Sequence, residues 1–234
     1  MKYCSVIVSY NSAPLTQRVY TELLKNKKHD IFIVENSSSE DKMFKGDNVI
    51  DLGRQNFGYG GCHDFIVRDP RFRKYDFVGI FNNDVFDIPE DYIEVLEKYM
   101  KDDVGILSSA INPGGSGWPQ MIWRENPEGY RNVLHVEDMA AFLNTKLFDE
   151  YCKYMPMDFY GVLDISLCAI SDSKGFKNIV VDEVAIGHML SGGRAMAGTK
   201  DAYMAHNGET HDEWMKRCPE LGVLYQNFFK KLKL

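Results

Sequence analysis

The sequence predicts an α/β fold, a largely parallel sheet with helices on both faces. Two observations lead there. Strand-like apolar runs alternate with helical patterns through the first half of the chain, the signature of parallel strands joined by helical crossovers. Three of those runs also stop abruptly at polar residues, at Tyr10-Asn11, at Asn36-Ser37-Ser38 and at Asn82-Asn83-Asp84. In open sheets of this kind ligands bind outside the carboxyl ends of the strands. Residues 9–12, 35–38 and 82–84 are therefore expected to face one crevice.

The elements follow in order. Residues 3–9 read as a buried strand. Ser12 is placed to cap a helix with Pro14 in its first turn, and Leu15, Val19 and Leu23 recur at helical spacing on one face. Residues 31–35 form a second strand and 48–52 a third, leading into the glycine-rich loop 53–61. A short helix over 62–68 precedes the apolar strand that ends at Asn82. Asp87 caps a helix opened by Pro89, with Ile93, Leu96 and Met100 on one stripe, and a strand over 104–108 closes this half. The run Asn112-Pro113-Gly114-Gly115-Ser116-Gly117-Trp118-Pro119 is a turn-rich break. Beyond it come a strand over 139–143, a helix over 145–151, a helix over 164–174 ended by Gly175, and a strand over 179–186 leading to Gly187-His188. The organisation expected is one domain, with residues 1–110 as a ligand-binding half, 111–205 as a second half and 206–234 as a helical tail.

Composition narrows the function. The chain has 234 residues, 44% of them apolar, and a net charge of −7, which argues against a nucleic-acid binder because phosphate contacts need clustered basic residues. The apolar runs are too short to span a bilayer, and the start of the chain lacks the apolar core of a signal peptide. Five scattered cysteines without a Cys-x-x-Cys pair read as reduced thiols in a cytoplasmic protein.

Several constellations carry chemistry, each beside a plainer alternative. Two amides and a carboxylate at Asn82-Asn83-Asp84 offer oxygen ligands to a hard cation such as Mg2+ or Mn2+, or they form a polar turn. The glycines of 53–61 allow backbone N–H groups to approach a ligand, or form an ordinary connection; no phosphate-loop pattern accompanies them. Asp164 at a helix start is a dipole-stabilised carboxylate, and is equally placed to accept a proton. His188 suits Mn2+ beside Asp84, or is structural. Arg194 and Lys200 offer charge to a diphosphate, or are solvated. Trp118, Trp123, Arg124 and Tyr130 form a sugar-stacking platform or anchor a loop. Phe228-Phe229-Lys230-Lys231 rests on a membrane surface, giving peripheral contact, or packs on the domain.

Read in order, these segments resemble the family 2 glycosyltransferases, inverting enzymes of the GT-A fold, and in particular the rhamnosyltransferase-like members. Val6-Ile7-Val8-Ser9-Tyr10-Asn11 is similar to the family's first strand and nucleotide-contacting turn. Ile33-Val34-Glu35-Asn36-Ser37-Ser38 resembles its second-strand signature, with Glu35 where Asp is usual. Asn56-Phe57-Gly58-Tyr59-Gly60-Gly61 is similar to its Asn-x-Gly loop, and Phe81-Asn82-Asn83-Asp84-Val85 to its D-x-D element in N-x-D form. Asp164-Ile165-Ser166-Leu167-Cys168 resembles the later acidic motif, and His188 stands at the place of a histidine metal ligand.

The resemblance implies a Rossmann-like, mainly parallel mixed sheet of GT-A type. It implies metal-dependent transfer of a sugar, with inversion, from a UDP- or dTDP-linked donor to a hydroxyl of a glycan or glycolipid, as in polysaccharide biosynthesis. Ser9, Tyr10, Asn11, Glu35, Asn36, Asn56, Gly58, Gly61, Asn82 and Asn83 would hold the nucleotide, Arg194 the phosphates, and Asp84 and His188 the Mn2+ or Mg2+. Asp164 would be the base, and Trp118, Trp123 and Arg124 would contact the acceptor. Two rivals stand beside it. A sugar nucleotidyltransferase would need a basic glycine-rich loop after the first strand, which Ser9–Pro14 lacks. A catalytically degenerate nucleotide- or carbohydrate-binding module is suggested by Leu163 and Ser166, where the motif usually carries acids.

Overall fold

A computed structural model describes residues 1–36, 38–53, 56–154 and 163–189, with 223, 224, 226, 227, 230 and 231 of the tail. Its centre is a nine-stranded sheet. Strand β1 (Tyr3–Ser9) is buried along its whole length, as a central parallel strand covered on both faces must be. It pairs in parallel with β2 (Asp30–Glu35) on one side and β4 (Phe77–Asn82) on the other, and β2 pairs with the short β3 (Val49–Asp51). Helix α1 (Ala13–Leu24) crosses between β1 and β2. It buries Leu15, Thr16, Val19 and Leu23, with Pro14 in its first turn as expected; Ser12 precedes it, yet its hydroxyl makes no capping bond.

The order across the sheet is β3-β2-β1-β4-β8-β6-β9-β5, with β7 (Tyr130–Val133) also on β9 (Lys177–His188). Strand β8 (Ala140–Asn144) runs antiparallel to both β4 and β6 (Val104–Ile111), so β6 and β9 point the same way as β1–β4. Six strands thus share one direction. Because β4 pairs with β8, one sheet runs through both halves of the chain.

Local differences have tertiary causes. Helix α2 (Gly58–Arg68) starts inside the glycine-rich loop, where Gly58 takes φ +67, a conformation costly for other residues. Helix α3 (Tyr92–Glu97) starts later than Pro89, since Asp87 turns with φ 54 and residues at the end of α1 and just beyond it hold the segment instead. Glu22 accepts from the Ile88 N–H at 2.9 Å, and Asn26 from the Ile93 N–H at 2.9 Å. The helix expected over 145–151 is a 3₁₀ turn (Thr145–Leu147) followed by α4 (Phe148–Tyr154), and α5 (Leu163–Ser173) follows. Strands β5 (Val85–Phe86) and β7 were not expected. Cys4, Cys62 and Cys168 are buried free thiols.

Candidate active site

The registers bring the polar strand ends level. Ser9 stands opposite Glu35, and Val8 opposite Asn82. A hydrogen-bonded lattice then fixes their loops. Glu35 is fully buried and accepts from Ser9 Oγ at 2.6 Å, from the Phe44 N–H at 2.8 Å and from Ser38 Oγ. Thr16 donates to Ser9 at 2.8 Å, and the Asn11 N–H to Ser38 at 2.8 Å. Asn11, at φ 49, accepts from the Ser39 N–H at 2.9 Å. Glu35 and Ser9 therefore shape the rim from beneath it, with three of the carboxylate's acceptor positions taken by the protein.

Asn36 ties this rim to the glycine-rich loop. It donates to Asn56 Oδ1 at 2.9 Å and accepts from the Phe57 N–H at 3.0 Å, while Asn56 also accepts from the Gly58 N–H at 2.8 Å. Gly61 lies within α2, against Phe57. Tyr10 is half-buried at the crevice. Asn83 reaches Thr16 at 3.4 Å, and Asn82 Oδ1 is buried with no hydrogen-bond partner among the described residues.

Asp84 and His188 meet beside this rim. Strand β5 pairs antiparallel with the end of β9, Val85 facing His188 and Phe86 facing Gly187. A side chain at 187 would run into the Phe86 ring, so glycine there lets the two strands close. His188 Nε2 lies 3.3 Å from Asp84 Oδ1 and its Nδ1 lies 2.8 Å from the Gly115 carbonyl. A carbonyl and a carboxylate oxygen both only accept, so the protonated ring donates from both nitrogens, to Gly115 and to Asp84. In the neutral ring Nδ1 keeps its proton on Gly115 and the Nε2 lone pair is left for a cation. Burial pushes the imidazole's pKa down, but Asp84, the Gly115 carbonyl and Glu137 outweigh it, and the net shift is upward.

Antiparallel β8 brings its start, not its end, to this edge: Phe81 faces Ala140, and the Asn82 N–H donates to the Met139 carbonyl at 2.8 Å. His135, Glu137 and Asp138 arrive with it. Glu137 bonds Ser116, and burial first, with the charge of Asp164 adding, raises its pKa against the opposing pull of Ser116, His188 and His135. Asp164, in the first turn of α5, contacts His135 at 2.9 Å. Beneath, Asp138 pairs with fully buried His63 of α2 at 2.7 Å, and the Tyr59 hydroxyl donates to the Asp138 carbonyl at 2.7 Å.

His63, His135, Glu137 and Asp138 escaped the sequence reading, which weighed strand ends, loops and one helix start but no polar residue at the start of a strand. A signal was present: Glu137-Asp138 stands directly before an apolar strand, the mirror image of Asn82-Asn83-Asp84 after one. The expected acceptor residues divide. Trp118 packs edge-on against His135, at 4.6 Å between ring centres. Trp123 is anchored on the flank, its indole N–H donating to the Asp182 carbonyl at 2.9 Å, with Arg124 exposed next to it. Ser37, Arg194, Lys200, Phe228 and Phe229 lie outside the described residues. Lys231 reaches Asp172 at 2.5 Å.

The donor chemistry suits a divalent cation in part. A carboxylate converges with an imidazole nitrogen that offers a lone pair once the ring is deprotonated, and among the described residues no third such group completes an all-protein cage. Such a site leaves coordination positions for ligand oxygens. No helix among the described residues is long and apolar enough to cross a membrane.

No protein-family model matches the sequence, and no curated protein does. Solved structures are similar. Residues 1–349 of S. aureus TarS in complex with UDP-GlcNAc give a TM-score of 0.64 at 15% identity, over 88% of this chain and 64% of that one. The Pyrobaculum calidifontis mannosyltransferase PcManGT, in complex with GDP-Man and Mn2+, gives 0.61 at 12% identity, over 97% and 69%. GalNAc-T7 with UDP, GalNAc and Mn2+ gives 0.59 at 14%, over 81% and 43%. The chain therefore spans about two thirds or less of these proteins. The likeness establishes the GT-A glycosyltransferase fold.

Proposed function

We propose that this chain is an inverting glycosyltransferase that moves a sugar from a nucleoside-diphosphate donor, UDP- or dTDP-linked, to a hydroxyl of a glycan or glycolipid. The observation that carries this reading is the Asp84–His188 pair at 3.3 Å, at the edge where β1, β2 and β4 end. Fold neighbours that hold UDP-GlcNAc, or GDP-Man with Mn2+, support it. Asp84 and His188 would hold Mn2+ or Mg2+, which supplies positive charge to offset that building on the departing diphosphate.

The remaining work belongs to the chain. The rim built on Tyr10, Asn11, Asn36 and Asn56 seats the nucleotide, and Asn82 Oδ1 offers a buried acceptor that a ligand donor would satisfy. Asp164 removes the proton of the acceptor hydroxyl. That oxygen bonds to the anomeric carbon from the face opposite the diphosphate, which departs with the electron pair of the broken C–O bond.

Thermal unfolding with UDP, dTDP, GDP and their sugar conjugates, with and without Mn2+, tests the reading. At least one nucleotide should raise the melting temperature more in Mn2+ than in chelator, and Asp164→Asn should keep that rise while losing transfer. A protein that no nucleotide stabilises would refute it.

A further inference from the structure

We infer that His135 is a positioning residue that fixes the carboxylate of Asp164 for proton abstraction; this rests on the transferase reading and deepens it. His135 lies in the segment between β7 and β8, with its side chain 1% exposed. Its Nε2 stands 2.9 Å from Asp164 Oδ2, and its Nδ1 stands 3.1 Å from the amide nitrogen of Gln120. An amide nitrogen only donates, so Nδ1 accepts and the ring proton sits on Nε2, directed at Asp164. The Trp118 ring packs edge-on at 4.6 Å and blocks rotation of the imidazole.

The carboxylate is thereby held at both oxygens, since Oδ1 accepts from the Ile165 N–H at 2.8 Å. Its side chain stays 19% exposed, leaving an open lone pair. A carboxylate free to rotate would spend much of its time misaligned, and misplacement by an ångström costs turnover heavily. The path Gln120–His135–Asp164 places Gln120, far from α5 in sequence, two hydrogen bonds from the base.

The test compares wild type, Asp164→Asn, His135→Phe and His135→Gln in transfer assays with Mn2+ and a panel of UDP-GlcNAc, UDP-glucose, GDP-mannose and dTDP-rhamnose. His135→Phe should lower kcat about 30-fold, within the range for residues that orient a reacting group, with donor KM changed by less than about twofold. His135→Gln sets an amide N–H where Nε2 stood and should recover kcat to within about fivefold. Wild-type kcat in His135→Phe beside an inactive Asp164→Asn overturns the positioning role and leaves the transferase reading intact. Full turnover in Asp164→Asn overturns the base itself. Should His135→Phe fail to fold, His135→Asn replaces it: the shorter amide should stay slow, and parity with His135→Gln overturns the inference. Nitrogen-15 NMR of the imidazole gives a readout apart from turnover. A proton on Nε2 that exchanges slowly, and faster in Asp164→Asn, supports the pairing, and a proton on Nδ1 refutes it.

Discussion

His188 Nε2 lies 3.3 Å from Asp84 Oδ1 because a two-residue strand pairs with the last two residues of a twelve-residue one. So short a ladder needs outside support. Arg18 of α1 supplies it, donating to the Val85 carbonyl at 3.1 Å, approaching Met189 Sδ at 3.7 Å and stacking over Phe86 at 5.3 Å. The Met189 N–H closes the loop on the Asp84 carbonyl at 3.0 Å. Residues 84 and 188 are thus joined through backbone and helix before any cation arrives.

Asp84→Ala should therefore weaken the cation's share of nucleotide binding alone. By calorimetry with UDP in Mn2+, affinity should fall by about tenfold or more, while in chelator the variant and wild type should agree to within about twofold. A loss of the same size in both conditions would mean that Asp84 acts on the nucleotide or the fold directly.

Glu35→Gln separates a supporting carboxylate from a ligand-touching one. The amide offers a single acceptor oxygen to the three donors at Ser9, Ser38 and Phe44, and turns an N–H against one of them. Stability should fall by about 1–3 kcal/mol in urea unfolding, the cost of an unsatisfied buried group. Unchanged stability with lost UDP affinity would instead place Glu35 on the nucleotide.

The buried His63–Asp138 pair makes stability depend on pH. Burial lowers the His63 pKa, but Asp138 outweighs it and lifts it above 6.5. Burial also raises the Asp138 carboxyl despite His63, so both directions say that the folded pair retains its proton more firmly than the unfolded chain. A raised histidine contributes stability that is complete below 6.5 and is lost as pH climbs through its folded value. Urea unfolding from pH 6 to 9 should show a decline of at most about 1.4 kcal/mol per pH unit, absent in His63→Gln. An identical slope in the variant would assign the effect elsewhere.

Much of this architecture was legible in the residues. Apolar runs broken by Tyr10-Asn11, Asn36-Ser37-Ser38 and Asn82-Asn83-Asp84 mark parallel strand ends, since strand burial and termination are written in local pattern. Leu15, Val19 and Leu23 mark α1 in the same way. Strands β5 and β7 were invisible for the converse reason: a pair such as Val85-Phe86 has no periodicity, and only its partner on β9 makes it a strand.

The chain's own patterning settled the longer strands and helices, and the polar residues that end β1, β2 and β4. Strand direction and register came from packing. Reversing β8 between β4 and β6 carries Glu137 and Asp138 to the ligand edge, and the loop after β6 carries Gly115 to His188 and Gln120 to His135. Those neighbours lie 15 to 73 residues apart in sequence, so no local window contains them. Which groups share a proton or a cation depends on the closed sheet.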